Sequence, residues 1–167
     1  MDVKGSHTYQ APVEAVLDML ADPDATQAKY EGMGHRDVEI LDTSRTDDGL
    51  HIASSRVVDV DLPGFARKVL KPTNTMRQTD DWRVGANGGW SGSFGVEVDG
   101  APIELSGVMR LVPGDGTCTH EVTITMKVKV PIVGGKIADW AGKNDVRRTL
   151  DAEFAFGDAW LAGEPSN

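Results

Sequence analysis

The sequence predicts an α+β fold: a seven-stranded curved antiparallel sheet closed around a long C-terminal helix, with two short helices after the first strand. Three observations carry this. Apolar residues recur at every second position through most of 35–130. They recur at helical spacing over 13–20 and again over 132–162. Short turn signals, Asp47-Asp48-Gly49 and Asp99-Gly100, join the alternating runs as hairpins require.

Residues 3–10 alternate, with Val3, Gly5, His7 and Tyr9 on one side, and read as the first strand. Pro12 suits a first helical turn, where its missing N–H has no intrahelical partner. Val13, Val16, Leu17 and Leu20 form an apolar stripe, and Asp22-Pro23 ends that helix. A second helix is expected from Asp24 to about Glu31, stopped by Gly32 and Gly34. Val38 and Ile40 open the next strand. Ile52, Ser54, Arg56, Val58 and Val60 share a face of the third. The segment LPGFARKVL (62–70) interrupts the sheet and is expected to form a helical turn, closed by Pro72. Met76, Gln78, Asp80, Trp82 and Val84 share a face of the fourth strand, and Gly85 to Gly89 is a loop. Trp90, Gly92, Phe94, Val96 and Val98 share a face of the fifth; Ile103, Leu105, Gly107, Met109 and Leu111 of the sixth. In the seventh, Val122, Ile124, Met126, Val128 and Val130 oppose Glu121, Thr123, Thr125, Lys127 and Lys129. That is one buried and one wet face.

After Pro131 two apolar stripes follow each other. Val133, Ile137, Trp140 and Ala141 make one; Val146, Leu150, Phe154, Gly157 and Leu161 make the other. At about 100° per residue the two lie on different sides of one straight helix. A kink, a π-bulge or a restart is therefore expected near Gly142-Lys143-Asn144-Asp145. At roughly 45 Å this helix is the element long enough to fill the concave face of the sheet. Residues 1–162 are expected to form a single domain and 163–167 a frayed tail.

The composition narrows the function classes. The chain has 167 residues, 40% hydrophobic and 26% charged, which is ordinary for a globular domain. A net charge of -9 with no Lys/Arg cluster argues against a nucleic-acid partner and against docking on anionic headgroups. No run approaches the roughly 20 apolar residues of a membrane span, so no membrane insertion is expected. The start of the chain lacks the apolar core of a signal peptide, and the single cysteine, Cys118, cannot form an internal disulfide. The expected location is cytoplasmic.

The run Tyr9-Gln10-Ala11-Pro12-Val13-Glu14-Ala15-Val16 at the strand-to-helix corner, together with the order of elements, resembles the START-like (SRPBCC, birch-pollen-allergen-like) superfamily. The stretch KVKVPIVGGKI (127–137) and the LPGF at 62–65 resemble one narrower actinobacterial family of unknown function within it. The resemblance covers nearly the whole chain. It implies a helix-grip fold with a deep cavity for lipids, sterols, polyketides or other apolar molecules. Some superfamily members are cyclases or hydrolases, so the resemblance transfers a fold and no reaction.

The candidate ligand-binding residues follow from the inward phase. Met76, Trp82, Trp90, Phe94, Met109 and Met126 supply an adaptable apolar wall, joined by Ile137 and Trp140 from the helix. The same residues would equally fill a solid core. Arg56, Gln78 and Asp80 interrupt that face. An Arg56–Asp80 pair would anchor a polar ligand head, or serve as a structural ion pair. His7, His35, His51 and His120 show no metal-ligand spacing with one another or with Cys118, so neither a metal nor a cofactor is expected. His7 and His120 share the inward phase on neighbouring strands. GWSGSFG (89–95) lies within a strand pattern and is no nucleophile elbow.

Three functions fit this reading. The first is non-catalytic binding or carriage of a hydrophobic or amphipathic small molecule, lipid or polyketide-like. The second is a cyclase/dehydratase-like enzyme in the same cavity, with His7, His120, Asp80 and Arg56 as candidate groups. The third is a protein-interaction module with a filled core: no pocket above roughly 300 Å³, and Trp160 with Leu161 exposed.

Overall fold

The computed structural model describes residues 1–163. The elements follow in the order β1 (Asp2–Tyr9), α1 (Val13–Ala21), α2 (Pro23–Gly32), β2 (Arg36–Arg45), β3 (Gly49–Asp59), β4 (Thr73–Val84), β5 (Trp90–Val98), β6 (Ile103–Pro113) and β7 (Cys118–Val128). The C-terminal helix comes in three consecutive pieces: α3 (Gly134–Ala141), a π-helical turn (Gly142–Val146) and α4 (Arg147–Leu161). The expected fold class is present: seven antiparallel strands in the order β1-β7-β6-β5-β4-β3-β2, with the helix across their concave face. β1 and β2 are the sheet's two edges, so α1 and α2 must bridge the open side between them.

Local chemistry explains the joints. Asp22 caps α2 by accepting from the Asp24 backbone N–H at 2.9 Å, and Pro23 takes the first helical position. The helix thus begins one residue before the expected Asp24. The π turn falls where the two stripes change side. It allows Ile137 in α3 and Leu150 and Phe154 in α4 all to be buried. Segment 62–70 forms the expected hydrogen-bonded turns, Arg67 N–H to Pro63 O at 3.2 Å and Leu70 N–H to Ala66 O at 2.9 Å, which do not join into a continuous helix. Pro63 and Gly64 at its start give it little helix propensity.

Two buried clusters result. The main core joins Val3, Tyr9, Val16, Leu17, Trp82, Trp90, Leu111, Leu150 and Phe154. A smaller one joins Leu62 and Ala66 of the 60–72 excursion to Ile137 of α3. Two glycines on the inner face let aromatic rings lie flat on the sheet. A Cβ on Gly92 would stand 2.7 Å from the Trp82 ring, and one on Gly107 would stand 2.3 Å from Phe94. At the β7–α3 corner Ile132 holds φ 72° with its side chain fully exposed. A β-branched residue in the left-handed region is strained.

Candidate functional site

A cavity lies between the sheet and the C-terminal helix. About 210 Å³ of it is open to the centres of water-sized molecules. The surface a guest would touch stands a further water radius out on every side, so the space for a guest exceeds this figure. The wall is largely apolar. Met76, Trp82, Phe94, Val96, Val98, Leu105, Met109, Val122, Ile124 and Met126 come from β4 to β7, and Ile137, Trp140, Val146 and Leu150 from the helix. Val60, Leu62, Trp140 and Asp145 also line a surface groove beside the 60–67 loop and the π turn, which makes this joint the thin wall of the cavity.

One part of the wall is polar. Arg56 on β3 and Gln78 and Asp80 on β4 point inward from alternate positions, and the register sets Arg56 opposite Met76 and Gln78 opposite Ser54. The Gln78 side chain connects the set. Its Oε1 accepts from Arg56 Nη2 at 2.9 Å and from the Tyr30 hydroxyl at 3.3 Å, while its Nε2 donates to Asp80 Oδ1 at 2.9 Å. The expected direct Arg56–Asp80 pair is therefore replaced by a glutamine bridge. Arg56 is 5% exposed, and its guanidinium stacks 3.9 Å from the centre of the Tyr30 ring. Lys29 Nζ and Glu153 Oε2 stand 3.8 Å apart on the same wall.

Residues 4–161 match the family described as "Protein of unknown function (DUF2505)". The chain belongs to that family. Uncharacterized proteins of Mycobacterium bovis and Mycobacterium tuberculosis are each 24% identical to this DUF2505 chain over 165 residues, 93% of it and 94% of the relative. Solved structures share its fold at low identity. A Thermus thermophilus protein has a TM-score of 0.64 at 15% identity, covering 98% of both chains. A STAR-related lipid transfer protein of Xanthomonas axonopodis has a TM-score of 0.64 at 14% identity, over 96% of this chain and 85% of that one. Norcoclaurine synthase of Thalictrum flavum has 0.58 at 10% identity, over 99% and 95%. The DUF2505 chain thus has a START-like fold.

Electrostatics within the DUF2505 cavity favour neutral forms where burial wins. Burial lowers His120 to about 3, with Lys29 and His7 adding to the effect. Burial lowers His35 to about 4, with Arg56 as the next cause. Both imidazoles are neutral at pH 7. Burial raises Asp80 above the ordinary carboxylate range against the opposing Gln78 hydrogen bond and Lys29 charge, which favours its acid form. For Lys29 burial works against the charge, but Glu153, Tyr30 and Asp80 together outweigh it and hold the ammonium above its usual value. Arg56 Nε and Nη1, Trp82 Nε1 and both His120 ring nitrogens are buried without a protein hydrogen-bond partner.

Of the residues expected to bind ligand, Arg56, Met76, Gln78, Asp80, Trp82, Phe94, Met109, Met126, Ile137 and Trp140 line the cavity. Trp90 does not. It starts β5 opposite Leu111, at the end of the sheet that α1 closes, and belongs to the solid core. His7 and His120 are direct cross-strand partners, yet only His120 lines the cavity. His7 bonds Asp158 at 2.8 Å and stacks on Phe154. Trp160 and Leu161 are half-buried against the core, with Trp160 stacked on Phe156 at 5.8 Å. Sequence reasoning missed Lys29, Tyr30, His35 and Glu153. Helix α2 carries almost no apolar stripe to orient it, so nothing marked Lys29 and Tyr30 as inward. Glu153 was legible, because it lies one turn from Leu150 on the buried face of α4. Among the described residues no helix is long and apolar enough to cross a membrane.

Proposed function

We propose that this protein binds and carries a hydrophobic or amphipathic small molecule, lipid or polyketide-like, without changing it chemically. The observation that carries the reading is the cavity itself. It is a largely apolar hollow walled by Met, Phe, Trp and branched side chains, with its buried charged groups gathered around Arg56 and a few further polar residues, such as Lys71 and Asp145, elsewhere on the lining. Apolar walls supply affinity and a few placed polar groups supply orientation. A fully packed module would leave no hollow; at about 210 Å³ this one is smaller than the roughly 300 Å³ of an ordinary ligand pocket and suits a slender guest. That one START-like neighbour is a lipid transfer protein is in keeping with the reading. The buried, unpaired Cys118 needs no oxidising compartment and fits a cytoplasmic setting.

Native mass spectrometry and solvent extraction of the purified protein test this directly. We expect a co-purifying apolar molecule, or a rise in melting temperature with fatty acids or polycyclic compounds. A protein that emerges empty and responds to none of them refutes the proposal.

A second reading is favoured by one observation: the cavity holds both a neutral imidazole, His120, and an acid-biased carboxyl, Asp80. An acid-biased Asp80 suits a general acid in a cyclase/dehydratase-like enzyme, whereas His120, lowered to about 3, is a weak base. Unchanged turnover of a real substrate in alanine variants of His7, His120, Asp80 and Arg56 would remove it.

A further inference from the structure

Arg56 is a buried cation that touches no carboxylate among the described residues. One of its hydrogens goes to Gln78 and one face of its plane to the Tyr30 ring. Nε and Nη1 have no protein acceptor, and among the described residues no carboxylate lies within 4.0 Å of the guanidinium. Two carboxyl groups share its wall, yet each is otherwise engaged. Glu153 faces Lys29, and Asp80 accepts from Gln78 while burial favours its acid form. The two wall histidines are neutral. Of the remaining charged lining groups, Lys71 is exposed and Asp145 faces Arg148 at 3.4 Å. Arg56 therefore stands beside an apolar hollow with two unpartnered N–H nitrogens and no carboxylate in contact among the described residues. Removing a guanidinium from water without a counter-charge is costly, and a partner that brings the counter-charge recovers that cost.

Resting on the reading that the cavity holds a guest, the geometry points to the class of that guest: an amphipathic anion whose carboxylate accepts hydrogen bonds from Arg56 while its hydrocarbon body lies along the wall from Met76 to Met126. Tyr30 closes one face of the guanidinium, so the carboxylate meets its edge, where planar N–H groups match two oxygens. Gln78 keeps its bond to Nη2 throughout, leaving Nη1 as the free corner. The bridge through Gln78 to Asp80 holds Arg56 in place and adds no negative charge at that corner.

The test is a matched set of probes on the full chain: dodecanoate, dodecanol and dodecylammonium, with binding measured by calorimetry. Wild type is expected to bind dodecanoate at least about tenfold more tightly than dodecanol, since hydrogen bonds to a charged group are the strong ones. Arg56→Met, similar in length and uncharged, is expected to lose that preference while still binding dodecanol. Should Arg56→Met not fold, Arg56→Lys serves in its place and is expected to keep a reduced preference. With 13C-carboxyl dodecanoate, the bound head group is expected to titrate at lower pH than the free acid in wild type only. Equal binding of acid and alcohol, or a preference for the ammonium, overturns the anion proposal and leaves the cavity reading standing. Failure of all three probes and of polycyclic ligands overturns the cavity reading itself, and this proposal with it.

Discussion

The two halves of the C-terminal helix do different work. Beyond the π turn, α4 is locked into the main core. A Cβ on Gly157 would lie 2.6 Å from the buried Tyr9 ring, and one on Gly5 would lie 2.4 Å from Leu150. Tyr9, His120 and Phe154 pack ring against ring in the same place, with His120 and Phe154 centroids 5.7 Å apart. Before the π turn, α3 buries Ile137 in a smaller cluster with Leu62 and Ala66 of an irregular loop and Val128 of β7, and the cavity opens beside them. One half is a jigsaw and the other a cover. Both halves are held to the sheet, but the cover leans in part on a loop without regular structure and borders the hollow.

That contrast can be broken by overfilling the tight half and trimming the cover. Gly157→Val is expected to lose about 3 kcal/mol of stability in urea unfolding, because the Tyr9 ring has no space to retreat into. Ile137→Val in the cover is expected to lose only about 1 kcal/mol. Equal losses would erase the distinction.

Acid sharpens it further, because the tight end and the polar patch titrate with opposite sign. His120 binds its proton near pH 3 in the folded protein but near 6.5 when unfolded, so its stabilisation is full above about 6.5 and is lost as pH falls toward 3. Asp80 behaves the other way. Its folded affinity for a proton is raised, so it subtracts stability as pH climbs above its unfolded value of 3.8. Melting temperature measured from pH 7 down to 4 is expected to fall by an amount worth a few kcal/mol, and His120→Leu to flatten that slope. Asp80→Asn keeps an oxygen for the Gln78 contact and is expected to raise the melting temperature at pH 7, a gain that fades toward pH 4. Identical pH profiles for all three proteins would contradict these assignments.

The smallest effect lies at the corner that starts the cover. Ile132→Gly relieves the left-handed strain of an exposed β-branched residue and is expected to raise stability by about 1 kcal/mol, read as a higher melting temperature. No gain would mean that the strain is offset elsewhere.

Most of the fold was legible because alternation and helical spacing are one-dimensional signals of burial. The inward rows of β3 to β7 and the break near residue 142 were written directly into residue order. Phase alone says which face a residue occupies, and not how far along the sheet it lies. For that reason Trp90 was grouped with Met76 and Phe94, although it sits at the solid end beside Leu111. Arg56, Gln78 and Asp80 were found by phase, but their linkage was not. A two-residue step along β4 places the Gln78 amide between the charges, and only three-dimensional register reveals that. Lys29 and Tyr30 stayed hidden because α2 is oriented by its contacts with β2 and by Asp22, rather than by a stripe of its own.

The π turn carries a last consequence. Its Lys143 and Asn144 side chains are exposed, and Asn144 Nδ2 donates to the Trp140 carbonyl at 2.7 Å. Wound as regular α-helix, the same residues would swing everything downstream by about 100°. Leu150 and Phe154 would then leave the core for water. The wide turn absorbs one residue, so a single deletion here, and no other change of length, would keep both buried in an unbroken helix.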